Sequence, residues 1–212
     1  TGPYEVFSRL PRSTTELVSK TSDPVLSATG MTLTPMRRFA DAPAYDVIVV
    51  PGGPGQQGLM DDETTLDFLR AQAATARWVM SVCTGSLVLG AAGLLAGKRA
   101  TCHWLSLPLL AEFGATPMAE RVVFDGTLLT TAGVSAGIDG ALALVDRLAG
   151  RSAAETIQLS IEYDPQPLYS AGSPATASAE LTTRIRTFSA PMLQSRAEGV
   201  RAAAARLKPK ET

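Results

Sequence analysis

The chain has 212 residues, of which 45% are hydrophobic and 18% are charged, proportions that suit one α/β domain with a proper core. A net charge of −1 gives no electrostatic reason to expect nucleic acid or an anionic membrane as partner, and no apolar run is long enough to span a bilayer. One histidine and two cysteines, which have no Cys-x-x-Cys spacing, exclude a multi-histidine metal site and favour a reducing compartment.

The first part of the chain predicts a helix followed by short strands. Thr1–Leu10 carries Pro3 in its first turn and apolar residues on one face, as an amphipathic helix does. A doubly wound domain places a strand before such a helix, so we expect the first strand to be missing from this sequence. The short strand candidates are Glu16–Ser19, Pro24–Ala28 and Met31–Met36, the last as part of an edge pair.

A strand buried on both faces is predicted at Tyr45–Val50, a near-continuous run of β-branched residues. Pro51–Gly55 follows it directly. Glycines at the end of a strand let backbone N–H groups approach a ligand or a developing anion, although such clusters more often form plain turns. Gly52 and Gly53 are therefore candidate substrate-binding residues. Asp61–Ala74 is predicted as a helix because its first turn is acidic.

The next strand, Trp78–Val82, stops at Cys83 and turns directly into a helix of small and apolar residues. The small residues Ser81 and Gly85 allow the sharp turn of a nucleophile elbow, with cysteine in place of serine. The N-terminus of a helix stabilises an anion, so we expect a lowered pKa for Cys83. The alternative is a buried free cysteine that only packs.

The rest of the chain alternates strands and helices. Asp125-Gly126 between Val122–Phe124 and Thr127–Thr131 predicts a hairpin. Asp164–Pro174 reads as a linker or wrapping loop, so residues 1–165 are assigned to the domain and residues 166–212 to a C-terminal loop and helical extension packed on it. The other predicted elements are a helix ending near Gly93–Gly97, a strand at Arg99–Cys102, and helices at Trp104–Phe113, Ile138–Leu148, Ala153–Tyr163 and Ala175–Leu207.

This alternation predicts an α/β, flavodoxin-like three-layer sandwich with a mainly parallel sheet. Ligands of such sheets bind at the carboxyl ends of the strands. The Gly52-Gly53 loop and the Cys83 elbow both fall at such ends, so we predict that they form one site.

Four motifs lie at these strand ends and turns: D-V-I-V-V-P-G-G (46–53), S-V-C-T-G-S-L-V-L-G (81–90), A-T-C-H-W (100–104) and T-A-G-V-S-A-G-I-D (131–139). Together they resemble the ThiJ/PfpI superfamily, which is related in fold to class I glutamine amidotransferase domains. The Cys-Thr-Gly elbow, T-G-P-Y-E-V-F (1–7) and I-E-Y-D-P-Q-P (161–167) are most similar to isonitrile hydratases. That resemblance implies addition of water to an isonitrile to give an N-substituted formamide, without metal or organic cofactor, by a cytoplasmic homodimer.

The resemblance also implies roles for single residues. Cys83 matches the nucleophile, Thr84 the residue that follows it, and Gly53 the loop that faces the thiolate. The peptidase branch has histidine directly after the cysteine, so Thr84 argues against peptidase chemistry. His103 matches a histidine near the nucleophile without a strict triad, and a structural role is the more common one for such a ring.

Two further expectations concern the surroundings of the nucleophile. The loop 132–135 should lie against the cysteine, with Val134 and Ser135 adjacent to the pocket. The family's acidic residue, which contacts the nucleophile and handles protons, would lie two positions before the stretch that matches Thr1, outside this sequence. Glu5 is not its match and is expected to have a structural or dimer-contact role.

The implied mechanism is attack of the Cys83 thiolate on the isonitrile carbon, with backbone donors at Gly53 and Thr84 stabilising the charge. One alternative is a glyoxalase- or deglycase-like enzyme acting on small carbonyls such as methylglyoxal. A second is a ligand-sensing domain like those of AraC-type regulators, for which the roughly 50 residues after Tyr163 are short. A third is a redox sensor, since an exposed cysteine of low pKa oxidises readily.

Overall fold

A computed structural model describes residues 1–208 of the chain. The helices are α1 (Gly2–Phe7), α2 (Gln56–Leu59), α3 (Glu63–Ala73), α4 (Gly85–Ala91), α5 (Ala136–Ala149), α6 (Arg151–Ser160) and α7 (Ala179–Leu207), with 3-10 turns at Phe39–Asp41 and Leu107–Phe113. The strands are β1 (Val18–Ser19), β2 (Val25–Leu26), β3 (Thr32–Leu33), β4 (Arg37–Arg38), β5 (Val47–Val50), β6 (Trp78–Val82), β7 (Arg99–Ala100), β8 (Thr116–Pro117), β9 (Val122–Asp125) and β10 (Leu128–Thr131).

The central sheet has the strand order β5-β6-β10-β9. Strand β6 is parallel to both of its neighbours, β5 and β10, and only β9 runs antiparallel, so the prediction of a mainly parallel sheet is confirmed. The hairpin of β9 and β10 is also confirmed. Its turn lies one residue later than predicted, because Asp125 still pairs with Leu128 and Gly126 takes the left-handed conformation at φ 61°.

Alternate residues of each strand enter two separate hydrophobic cores, one on each face of the sheet. On β6, Val79 belongs to the core under α2, α3, α4 and α7, whereas Met80 and Val82 belong to the core under α1, α5 and α6. Leu128 and Leu129 divide in the same way on β10. This alternation produces the predicted three-layer sandwich, because each strand is covered by helices on both faces and buries side chains on both.

The C-terminal helix α7 packs on the first of these cores. Ser178 caps the helix by accepting a hydrogen bond of 3.1 Å from the Leu181 N–H. Further along, Val200, Ala203 and Ala204 are buried in the core. The division of the chain at residue 165 stays a prediction. In the part of the chain described, no helix combines the length and the apolar character that a membrane span requires.

Several local predictions need correction. The predicted helix Trp104–Phe113 is instead a 3-10 helix over Leu107–Phe113, which Gly114, left-handed at φ 74°, ends. The strands near the N-terminus are only two residues long, and β4, which pairs with β1, was not predicted. The predicted edge pair is present as the antiparallel β2 and β3.

Candidate active site

Cys83 occupies the turn between β6 and α4 in a left-handed backbone conformation, with φ 57°. Non-glycine residues adopt this conformation rarely. It costs conformational free energy and persists only where the surrounding structure holds the backbone in place. Here the Cys83 N–H donates to the carbonyls of Thr131, at 3.1 Å, and Ala132, at 2.9 Å. A side chain at Gly85 would overlap the carbonyl oxygen of Val50. The elbow is thus held between β5 and β10, and the loop that begins at Ala132 lies against it as expected.

The glycine loop after β5 contacts the residue that follows the cysteine. A Cβ atom on Gly52 would lie 2.6 Å from the Thr84 nitrogen and 2.9 Å from the Cys83 Cβ, so only glycine fits there. The Gly53 N–H donates to Thr84 Oγ1 at 3.0 Å, and Gly53 has φ 121°. The expectation that Gly53 offers its N–H to the substrate is therefore corrected, because Thr84 already accepts that hydrogen bond. The loop instead fixes the orientation of the Thr84 hydroxyl.

The thiol of Cys83 is partly exposed and is not in a disulfide. Burial raises the pKa of Cys83 above its ordinary value, while the Thr84 N–H, the Thr84 hydroxyl and the charge of Arg196 act in the opposite direction. The predicted lowering of this pKa is therefore wrong. The sequence pattern shows the end of the helix but not how much of the sulfur lies out of water, and here the loss of solvation is larger.

His103 makes no hydrogen bond to Cys83 in the part of the chain that the structure describes. Its Nδ1 accepts from the Leu105 N–H at 3.3 Å, and burial lowers its pKa, so the neutral ring is favoured. A Cβ on Gly133 would lie 3.5 Å from this ring, which places the 132–135 loop beside it. The ring thus makes a local backbone contact, and a structural role for His103 stays a prediction.

Val134 and Ser135 project from the same loop. The Val134 side chain is strongly exposed, and Ser135 Oγ accepts from Arg121 at 3.2 Å beside the Arg121–Asp139 ion pair. These side chains lie at the protein surface, so their role next to the pocket stays a prediction. Glu5 is also at the surface, where it pairs with Arg9 one turn later.

Two buried polar residues near this loop and elbow were not singled out from the sequence. Gln56 begins α2, is 2% exposed, and has no hydrogen-bond partner within residues 1–208 for either polar atom of its side chain. Arg196 on α7 is 6% exposed and donates from Nη1 to Ser106 Oγ at 2.8 Å. No local signal in the sequence singles out Arg196, which lies in a run of basic and small residues typical of a solvated helix.

The comparisons with known proteins agree with this architecture. The sequence model of the DJ-1/PfpI family matches residues 1–147 of this chain. The chain belongs to the DJ-1/PfpI family. It is 53% identical to an isonitrile hydratase of Pseudomonas putida over 207 residues, 98% of this chain and 91% of that protein.

A solved structure and a transcriptional regulator are also similar to this chain. The crystal structure of a ThiJ/PfpI family protein from Pseudomonas syringae superposes with a TM-score of 0.91 at 40% identity, over 96% of this chain and 83% of that one. The transcriptional regulator GbdR of Pseudomonas aeruginosa is 35% identical over 142 residues, which are 66% of this chain and 38% of the regulator. The family resemblance inferred from the four motifs is therefore confirmed.

Proposed function

We propose that this DJ-1/PfpI protein is a cysteine-dependent isonitrile hydratase. The nucleophilic role of Cys83 is supported by one observation: its backbone is left-handed in the turn after β6, with Thr84 next to it. The substrate class is supported by the 53% identity to the Pseudomonas putida isonitrile hydratase over nearly the whole chain. The regulator matches only part of this chain, which favours the enzyme over the sensing domain.

The proposed reaction is redox-neutral and consumes one water molecule. The Cys83 sulfur attacks the terminal isonitrile carbon, and that carbon takes a proton to give a thioimidate. Water then adds to the carbon–nitrogen double bond. As the carbon–sulfur bond breaks, the thiolate leaves and the added hydroxyl loses its proton, which balances the proton taken up by the carbon, and the product is an N-substituted formamide. In this scheme the Thr84 N–H and hydroxyl, which already favour the thiolate, stabilise the sulfur each time it carries negative charge.

The strained conformation of Cys83 favours the reaction by positioning the sulfur atom. A left-handed residue projects its side chain out of the strand-to-helix turn, and the carbonyls of Thr131 and Ala132 fix its backbone there. An attacking atom that is already oriented avoids part of the entropic cost of bringing two reactants together.

The test is an assay of formamide formation from an alkyl or aryl isonitrile, with methylglyoxal as the competing substrate. We expect formamide from the unaltered protein, none above background from Cys83→Ser, and near-normal rates from Cys102→Ala, which changes the other free cysteine. Formation of lactate from methylglyoxal without formamide from any isonitrile would favour the glyoxalase-like alternative and overturn the proposal.

We also infer a cytoplasmic homodimer. Both cysteines are free thiols, as a reducing compartment allows. The first half of α7 exposes Ile185, Phe188 and Met192 at a helical spacing, with Phe188 88% exposed, and such an apolar stripe suits a second copy of the chain. Light scattering should give twice the monomer mass for the unaltered protein and the monomer mass for Phe188→Glu. A monomeric unaltered protein would contradict the inference.

A further inference from the structure

Arg196 is a buried cation without a carboxylate partner in the described part of the chain. It is 6% exposed, and its one hydrogen bond there joins Nη1 to Ser106 Oγ. The Nε atom is buried and has no partner within residues 1–208. By contrast, Arg206 on the same helix pairs with Asp61 at 2.7 Å. Because an unpaired buried charge is strongly unfavourable, the position of Arg196 requires a reason other than stability.

Hydrogen bonds join the 101–106 segment to Arg196 at one end and to the elbow at the other. Ser106, which accepts from Arg196, donates its own N–H to the His103 carbonyl at 2.8 Å. Two residues before His103, the Thr101 carbonyl accepts from Ser86 Oγ at 2.7 Å, and Ser86 lies in the first turn after Cys83. The guanidinium is therefore bound to the same 101–106 segment that is hydrogen-bonded to the start of α4.

The titratable groups that share this space are Cys83, Cys102 and His103. Arg196 opposes the effect of burial on the pKa of both cysteines, and it adds to the lowering of the His103 pKa. Burial keeps Cys102 as a thiol and His103 as a neutral ring near pH 7. Burial also lowers the pKa of Arg196, but a guanidinium remains protonated in proteins. Among these four groups, Arg196 is therefore the fixed charge.

We propose that Arg196 is a positioning residue of the proposed hydratase, whose fixed positive charge stabilises the thiolate of Cys83. The inference rests on the proposed role of Cys83 as nucleophile and adds a group that the motifs did not contain. Ser106 holds the guanidinium in place. The charge acts through the protein interior, where screening by solvent is weak.

The experiment measures the pKa of Cys83 from the pH dependence of its alkylation by iodoacetamide, followed by mass spectrometry in a Cys102→Ala background. We expect Arg196→Met to raise this pKa by about one unit, with about tenfold slower alkylation near pH 7. Arg196→Lys should restore most of the rate. Arg201→Met, on an exposed position of the same helix, is the matched control and should leave the pKa unchanged.

A role limited to packing would lower the melting temperature of Arg196→Met and leave the pKa of Cys83 unchanged, and that result overturns the proposal. If Arg196→Met does not fold, the Ser106→Ala variant tests the proposal instead. This variant keeps the charge of Arg196 and removes the hydroxyl that orients the guanidinium. We expect a smaller upward shift of the pKa in Ser106→Ala, and the absence of any shift would equally overturn the proposal. Alkylation needs no isonitrile, so a failure of the hydratase assay is distinguishable from a failure of this inference.

Discussion

We expect Gly52→Ala to lower the rate of catalysis much more than the stability of the fold, because Gly52 packs directly against the elbow. The added Cβ would lie 2.6 Å from the Thr84 nitrogen, 2.8 Å from Thr84 Oγ1 and 2.9 Å from the Cys83 Cβ. Ordinary contacts of a Cβ begin at 3.4 Å, so the loop and the elbow must separate by up to 0.8 Å. The contacted atoms belong to the backbone or lie next to it, and they cannot swing away as a long side chain would.

A separation of that size would stretch the hydrogen bond from the Gly53 N–H to Thr84 Oγ1, now 3.0 Å, beyond hydrogen-bonding distance. A misplacement near 1 Å costs on the order of 100-fold in rate, or about 2.7 kcal/mol of activation free energy. Overpacking of this kind lowers the free energy of unfolding by only about 1–3 kcal/mol. We therefore expect Gly52→Ala to fold and to lose about 100-fold in kcat/KM for the isonitrile.

The assay pairs formamide kinetics with urea unfolding, and Gly55→Ala is the matched control. Gly55 lies in the same loop with helical dihedral angles, and nothing lies within 4 Å of the position of its Cβ. Alanine there should leave kcat/KM unchanged and raise the free energy of unfolding by about 0.4–1 kcal/mol. A kcat/KM for Gly52→Ala within threefold of the unaltered enzyme would refute the view that this loop positions Thr84.

Three shorter predictions follow from other contacts. Gln56→Leu replaces an amide that has no partner within residues 1–208, so urea unfolding should show a gain of about 1 kcal/mol, and a loss of stability would contradict that picture. Thr84→Val should lower kcat about tenfold by removing the acceptor of the loop N–H, whereas Thr84→Ser keeps the hydroxyl and most of the rate. The hydrogen bond from Arg37 lowers the pKa of Glu16 to about 2, so this carboxylate stabilises the fold above pH 4.5 and that contribution is lost as the pH falls through 2. Melting temperatures of Glu16→Gln should accordingly fall less steeply than those of the unaltered protein over that range.

The central strands and the elbow were predictable because their signals are local. Within the predicted range Tyr45–Val50, the four residues of β5, Val47–Val50, are all apolar, as a strand covered on both faces requires. The small residues around Cys83 likewise match a turn that leaves no room for larger ones, as Gly85 against Val50 shows. In both places the neighbouring residues in the sequence are also the ones that determine the local structure.

The electrostatics of the site could not be predicted in this way. The expected fall in the pKa of Cys83 took account of the helix end alone, whereas burial by the surrounding elements has the larger effect. Arg196 lies 113 positions along the chain from Cys83, and its burial depends on how α7 docks against the 101–106 segment. Nothing in the run around Arg196 distinguishes it from its exposed neighbour Arg201.

The covalent step is the central claim, and acid-quenched mass spectrometry during turnover of an isonitrile labelled with ¹³C at its terminal carbon tests it most directly. The proposed mechanism predicts a labelled adduct on the peptide that contains Cys83, at a level that declines as the substrate is consumed, and no adduct in Cys83→Ser. Labelled formamide produced by Cys83→Ala at the rate of the unaltered protein would contradict it, because the sulfur would then take no part in the reaction.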